Sequence, residues 1–411
     1  MSMDRYEVCV VGAGMAGQLT ALALAERGIA VALIGPSKLP SEKDPRTTAL
    51  AYGTVRALRR LDVWSDLDRD AAPIERIEVN LGRQASRFRE KGSATKLAFS
   101  DGLLNDQDRW EGTPLAYVVE NEFLRSALHR RCARHTEICL VESPVAGLEV
   151  RSGDAVLRLE GGHTVATDLV IACDGHASRL RRASGIRTQT GDFDQDALTF
   201  TVGHTLPHMH TARQVFLPGG PLAALPLSGN RCSVIWSVRR EAADSMLASG
   251  SDAIAGMAGN TLRESLGELT LHGPVVRFPL SFLYAERIYA DRLALVGDTA
   301  HLIHPLAGQG FNLTVRDAAT LADVLYEGRA TGLAVGSTSL LVDYDRRRRA
   351  DTVATAFGTR TLARALSTSE RLSRTATSFG FSLVQRSDAL RKLLAKEAGG
   401  DLGSLPSLMA P

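Results

Sequence analysis

Residues 7–34 read EVCVVGAGMAGQLTALALAERGIAVALI, and this stretch decides the fold. Glu7–Val11 is a short apolar run rich in valine, which predicts a strand. Gly12, Gly14 and Gly17 follow at once in G-x-G-x-x-G spacing. From Met15 to Arg27 the apolar residues recur at helical spacing, with Leu19, Leu22 and Ala23 on one face. Gly28 is a good stop for that helix. Val31–Ile34 then reads as a second strand. The glycines therefore stand in the strand–turn–helix–strand setting that a dinucleotide-binding fingerprint requires. Gly12 would make the tight turn, Gly14 would admit a pyrophosphate, and Gly17 would let helix and strand pack closely. The fingerprint usually ends its second strand with an acid that holds the ribose. Here that position is Gly35, followed by Pro36. The nearest acids, Glu42 and Asp44, lie in a polar loop with Arg46. The Arg46 guanidinium would fork onto a phosphate, or simply be solvated.

A second stretch answers the first from the far end of the chain: residues 293–317, LALVGDTAHLIHPLAGQGFNLTVRD. Leu293–Val296 predicts a buried strand, closed by Gly297-Asp298. A Pro/Gly-rich loop with His304, Pro305, Gly308 and Gly310 follows, and a helix is expected from about Phe311 and Asn312. A loop that runs into a helix N-terminus offers unpaired N–H groups and the positive end of the helix dipole. Asp298 is an acceptor-only group, suited to a ligand with several hydroxyls; alternatively the stretch is an ordinary βα turn with Asp298 capping the helix. Between the two ends lies DLVIACDGHASRLRR (168–182), a strand followed by D-G-x-x-S-x-x-R. Asp174 there serves either as an Asx turn with Ser178 capping the next helix, or as a cofactor contact.

Composition sets the frame. A chain of 411 residues, 44% hydrophobic and 23% charged, fits an ordinary globular protein of two domains or one large α/β domain with an inserted sheet. A net charge of +2 gives no sign of a nucleic-acid partner. The cysteines (Cys9, Cys132, Cys139, Cys173, Cys232) are odd in number and show no C-x-x-C spacing, so a reducing compartment is expected. The apolar residues 8–25 follow Asp4 and Glu7 and are interrupted by glycines, so a βα unit explains them better than a signal peptide. No run reaches about 18 apolar residues, so no transmembrane helix is expected.

Residues 47–70 read as helical, with Leu50, Val55, Leu58 and Leu61 on one face; residues 74–119 read as strands. Asn121 begins another helix. Residues 192–240 and 273–290 read as a second sheet, separated by a polar helical stretch at 241–267. His204, His208 and His210 cluster there without a cysteine or carboxylate at zinc spacing, so no metal is expected. From 315 to 366 long helices are expected. The run Arg346–Arg349 opens a region, to Lys396, with twelve Lys/Arg against three Asp/Glu and interleaved leucine and phenylalanine. Such a region is either a solvated helical face or a surface for anionic membrane.

The three glycine and aspartate motifs, in this order, resemble the class A flavoprotein aromatic hydroxylases, the group of 4-hydroxybenzoate hydroxylase. DPRTTALAYGTVRALRRLDVW (44–64), LAYVVENEFLRSAL (115–128), HPLAGQGFNLTVRD (304–317) and YDRRRRAD (344–351) make the chain most similar to the ubiquinone-biosynthesis hydroxylases. FLPGGPLAALPLSGNR (216–231) resembles the 2-polyprenyl-6-methoxyphenol hydroxylase branch. The resemblance covers essentially the whole chain. It implies an α/β fold with a Rossmann-like FAD-binding domain (1–73, 115–182 and 291–345), an interleaved substrate-binding β-sheet domain (74–114 and 183–290) and a helical C-terminal region (346–411). It implies FAD as cofactor, O2 and NAD(P)H or another electron donor as co-reactants, and hydroxylation of a polyprenylated phenol through a flavin C4a-hydroperoxide. Gly12, Gly14 and Gly17 would hold the pyrophosphate, and Arg46 the adenosine-side phosphate or ribose. Asn121 would lie near the ribityl chain, and Asp174 near the cofactor with Arg181 bracing its loop. Asp298 would bind the ribityl or pyrophosphate part. The backbone of Gly310, Phe311 and Asn312 would face the pyrimidine edge, with Pro305 by the reactive carbon. His304 is named as a base for the phenol. Gly35 departs from the family pattern and leaves the ribose contact open. A greasy substrate would come from the bilayer to a cytoplasmic protein, or to one peripheral on the inner membrane face, and other quinone-biosynthesis enzymes are candidate partners. Two rivals stand beside this reading: a hydroxylase of a small soluble aromatic compound, and a non-catalytic FAD-binding member of a quinone-biosynthesis complex.

Overall fold

The computed structural model describes residues 4–36, 44–80, 96–100, 114–304, 308–367 and 404–411. Its first sheet is built on five parallel strands, in the order Leu293–Leu295, Thr164–Ala172, Asp4–Val11, Val31–Ile34 and Ile138–Val141. The strand Asp4–Val11 is central because both of its faces are covered, and Val8 to Val11 are buried without alternation. Helix α1 (Met15–Ala25) follows it and is buried at every position from Gly17 to Ala25. A helix so apolar all round needs partners on several sides. It packs against α3 (Asn121–Arg134) and α7 (Gly310–Ala330).

One sequence expectation is corrected next to this sheet. Residues 47–51 are not helical: Thr47–Ala51 is a strand, paired antiparallel with Ala116–Glu120, and helix α2 runs only from Tyr52 to Arg60. Two adjacent β-branched threonines and an available partner strand outweigh the helical spacing of Leu50 with Val55.

A second, eight-stranded sheet carries the order His301–Leu302, Leu269–Ala285, Thr188–His204, Arg231–Arg239, Gly220–Leu227, Thr211–Leu217, Arg76–Asn80 and Lys96–Ser100. Leu198, Phe200, Val202 and Val234 form a core beneath it with Ile254, Ala258 and Leu262 of α6 (Ser251–Leu266). The first strand of that order positions the site. Only a few residues after Leu293–Leu295 ends in the first sheet, His301 and Leu302 pair with Tyr284 and Leu283 of the second. The Gly297-Asp298 turn is thus the bridge between the two sheets.

The C-terminal region differs from a simple basic surface. Arg346–Arg349 lies on α8 (Thr338–Ser367), and each of the four arginines is paired with carboxylates. Arg346 meets Asp343, Arg347 meets Glu327 and Asp343, Arg348 meets Asp317 and Asp351, and Arg349 meets Asp345. Arg348 is 3% exposed. The acids three and four residues away in DYDRRRRAD pair along the helix, but Arg346, Arg347 and Arg349 stay exposed and only Arg348 turns inward. Residues 404–411 form turns rather than helix, and they dock on the first core through the buried Leu408 and Met409. Ser407 bonds Asp323 by both its N–H (2.7 Å) and its hydroxyl (2.5 Å), and Arg60 donates to the Ser407 and Ala410 carbonyls. The remaining basic residues up to Lys396 lie outside the residues whose side chains are described. No helix among the described residues is long and apolar enough to cross a membrane.

Candidate active site

The register of the parallel sheet brings the three motifs to one edge. Val11 stands opposite Ala172, and Ala172 opposite Leu295. Gly12, Asp174 and Gly297 therefore leave the carboxyl ends of adjacent strands side by side. That edge of an open α/β sheet is where ligands bind.

The glycines of the first motif are not equivalent. A Cβ on Gly12 would fall 2.3 Å from the Cys173 carbonyl oxygen, and one on Gly17 would fall 1.8 Å from the Gly12 carbonyl oxygen. Both are glycine because the protein packs against them. Around Gly14 no protein atom lies within 4 Å of such a Cβ. Its requirement for glycine, if any, comes from something outside the chain. Gly14 is also the residue at which α1 begins, and the first turn carries no acid, so its N–H groups are open to an anion. Gly35, with φ +155°, would drive a Cβ to 2.7 Å from the Ala13 nitrogen. Close packing on the glycine-rich turn thus excludes the acid expected there.

The second and third motifs are stapled together. Gly175 N–H donates to Thr299 Oγ1 at 3.1 Å, and buried Arg181 donates to the Thr299 carbonyl at 2.8 Å and the His176 carbonyl at 2.7 Å. Asp174 accepts from the Arg179 N–H at 3.0 Å, and Ser178 caps α4 (Arg179–Ala183) at the Arg181 N–H. One Asp174 oxygen thus holds the start of α4, five and six residues on, and does not form the Asx turn expected from sequence; the Ser178 cap is as expected. The other, Oδ1, is buried with no hydrogen-bond partner among the described residues. An orphaned acceptor at this edge fits a ligand bearing hydroxyls.

Asp298 is the exposed residue of its turn; Gly297, Thr299, Ala300 and His301 are all buried. Its side chain meets solvent, yet the protein packed around it pushes its carboxyl above the usual range. His301, His176 and Arg46 pull the other way. Arg46 thus stands on the Asp298 side of the site. It is held by Asp44 at 2.8 Å through both Nε and Nη2, with Arg125 donating to the same carboxylate at 3.0 Å, and it lies 4.8 Å over the Phe278 ring. Asn121 is turned inward: its Oδ1 accepts from Thr48 at 2.7 Å, and its backbone N–H bonds the Arg46 carbonyl at 3.0 Å. It supports the Arg46 strand.

Helix α7 begins at Gly310, close to the expected start, and its first turn carries no acid. The Asn312 side chain accepts from Ala51 N–H (3.0 Å) and Thr54 (2.8 Å) and donates to the Ala49 (2.9 Å) and Gly308 (3.2 Å) carbonyls. That side chain is fully spent on clamping the loop. A Cβ on Gly310 would meet no protein atom within 4 Å. Pro305 lies outside the described residues. His304 is buried against Phe193, ring centroids 4.9 Å apart and edge-on, and Phe193 in turn meets Phe282 at 5.8 Å. Burial pushes the His304 imidazole down to about 4. A group that weakly basic is poorly matched to taking a phenol proton.

Sequence reading passed over the aromatic residues Phe193, Phe278 and Phe282, which carry no motif. Two of the three clustered histidines are occupied internally: a ring nitrogen of His204 lies 2.8 Å from the Leu206 carbonyl and one of His208 lies 3.0 Å from that of Leu227, while His210 is exposed. Cys9, Cys132, Cys173 and Cys232 are buried, and burial raises each thiol to about 12, so they are inert.

Comparison with known proteins agrees with this geometry. Residues 5–357 match the model of the FAD binding domain family. A ubiquinone hydroxylase, UbiL, of Rhodospirillum rubrum is 33% identical over 96% of this chain and 90% of its own length. The chain belongs to the FAD-dependent ubiquinone hydroxylase family. The 3-demethoxyubiquinol 3-hydroxylase of Escherichia coli is 31% identical over 85% of this chain and 87% of its own length. The fold is that of the p-nitrophenol 4-monooxygenase PnpA of Pseudomonas putida, with a TM-score of 0.78 at 18% identity over 98% of this chain and all of that one. As a member of this family the protein is an FAD-dependent aromatic-ring monooxygenase, which uses O2 and a reduced electron donor. The open space at Gly14 and Gly310, the acid-free N-termini of α1 and α7, and the orphaned Asp174 oxygen fit FAD.

Proposed function

We propose that the protein hydroxylates the aromatic ring of a polyprenylated phenol in ubiquinone biosynthesis. The observation that carries this is near full-length similarity, above 30% identity, to two hydroxylases of ubiquinone compounds. FAD supplies the oxygen-activating chemistry. Gly12, Gly14 and the first turn of α1 bind its pyrophosphate, and Asp298 and the free oxygen of Asp174 accept from its hydroxyls. Arg46, held by Asp44 and supported by Asn121, neutralises phosphate charge. The N–H groups of Gly310, Phe311 and Asn312 stabilise negative charge on the pyrimidine edge.

The second sheet supplies the ring side of the site. Phe193, Phe282 and His304 form an apolar wall that excludes water. His304 serves there as a neutral ring and not as the base. A substrate with a long apolar tail comes from a membrane, so contact with the membrane surface belongs to this reading.

Incubation of the purified protein with FAD, NADPH and a 2-polyprenylphenol tests the proposal. Hydroxylated product is expected from the prenylated phenol and not from soluble phenolic acids. Turnover of the soluble acids alone would favour the small-substrate reading. FAD binding without turnover of either, with every reductant supplied, would favour the non-catalytic one.

A further inference from the structure

The four-arginine run contains one side chain that neither solvent nor cofactor explains. Arg348 Nε donates to Asp317 Oδ1 at 2.7 Å, deep in the core. The other oxygen of Asp317 accepts from His301 Nε2 at 2.6 Å and from the Gly297 N–H at 3.1 Å. Gly297 and His301 bracket Asp298. Three segments far apart in sequence thus converge on one buried carboxylate, directly behind the exposed acid of the site. We infer that Arg348, Asp317 and His301 are positioning residues that hold the Gly297-Asp298 turn and so present Asp298 to the cofactor.

The charges argue for more than packing. A lone carboxylate at Asp317 would be strongly disfavoured by burial. Arg348 cancels it, with Asp351 on the far side of the guanidinium at the other end. His301 is left as the polar group between the two acids. Burial works against the Asp317 charge, but His301 and Arg348 outweigh it and hold the carboxyl below its usual range. The other ionisable groups facing Asp317 are Cys173 and Tyr344, both held neutral by burial, and Tyr344 is engaged with the Leu295 carbonyl at 2.9 Å. Facing Asp298 from other segments are His176 and Arg46. The arrangement makes α8 part of the cofactor site, although it lies behind it.

The inference rests on Asp298 being a cofactor ligand, so D298N is the control. FAD affinity would be measured by flavin fluorescence from pH 5 to 9 for wild type, D298N, R348K, R348M and H301Q, with circular dichroism to verify the fold. H301Q keeps a donor to Asp317 and leaves the Arg348 pair intact. D298N should weaken binding at all pH values. R348K should stay close to wild type. R348M and H301Q should bind FAD about tenfold more weakly, with the acid limb moved to higher pH by about one unit. Unchanged affinity in H301Q, an equal loss with an unmoved acid limb, or failure of H301Q to fold would overturn the inference, since the network would then serve the fold alone. If R348M does not fold, H301Q decides. Wild-type affinity in D298N would instead remove the reading of the site on which the inference stands.

Discussion

At the scale of single residues, two side chains carry costs that only function explains. Asp298 has a carboxyl held above its usual value of 3.8 by the protein around it. The sign is then fixed: the folded state resists its ionisation, so it loses stability as pH rises from 3.8 through the folded value, and the loss persists at pH 7. Asp298→Asn is expected to raise the melting temperature of the FAD-free protein while weakening FAD binding, as calorimetry and fluorescence titration would read. His304 is displaced the other way, from 6.5 to about 4. Unfolded chain protonates first, so stability drains as pH falls from 6.5 to about 4, by roughly 3 kcal/mol at about 1.4 kcal/mol per unit. His304→Gln should flatten that acid loss in urea titrations at pH 7 and pH 4.5. Of the residues named from sequence, Gly12, Gly17, Asp174 and Asp298 were legible as turn positions at strand ends, whereas the choice between an ordinary turn and a cofactor contact was not. Asn121 and Asn312 were legible as positions, but their side chains face inward, and sequence does not show which way an amide points. Asp317 stood in plain view at the end of the quoted motif, yet its partners, His301 and Arg348, are set by tertiary packing.

At the scale of elements, the glycine-rich turn separates two kinds of requirement. Gly17→Ala forces a Cβ onto the Gly12 carbonyl, and the fold should lose at least roughly 2 kcal/mol. Gly14→Ala meets open space, and its φ of −74° suits any residue. Its unfolding midpoint should stay within about 0.5 kcal/mol of wild type, while FAD affinity falls, because the methyl occupies the pyrophosphate approach. Comparable FAD loss in both, or in neither, would contradict the assignment. The βαβ unit was readable because local pattern and tertiary pairing agree there. The segment 47–51 was misread because they disagree: Leu50 keeps helical spacing with Val55, but pairing with Ala116–Glu120 decides. The arginine run keeps the solvated face expected of it at Arg346, Arg347 and Arg349, but Asp317 on α7 and Asp351 draw Arg348 into the core, which four consecutive cations do not announce.

At the scale of the whole molecule, the turn at Gly297–His301 joins a cofactor sheet to a second sheet with aromatic side chains, and both ends of the C-terminal region are fastened to the first. Met409 is fully buried, and Asp323 ties Ser407 to Arg27 of the segment that follows α1. Met409→Ala should therefore cost roughly 2–5 kcal/mol in unfolding free energy, read by denaturant titration. A change under about 1 kcal/mol would mean that the tail is dispensable. The interleaving of two sheets was inferred from resemblance, because composition and periodicity give strands but not their partners.

Whether FAD at this edge of the sheet activates O2 for aromatic hydroxylation is decided by turnover of the FAD-loaded protein with NADPH and a 2-polyprenylphenol under 18O2, with mass analysis of the product. The product should be heavier by one 18O atom, lost in Asp298→Asn at subsaturating FAD and restored by added FAD. A protein that binds no FAD, or a product whose oxygen comes from water, would contradict the proposed function.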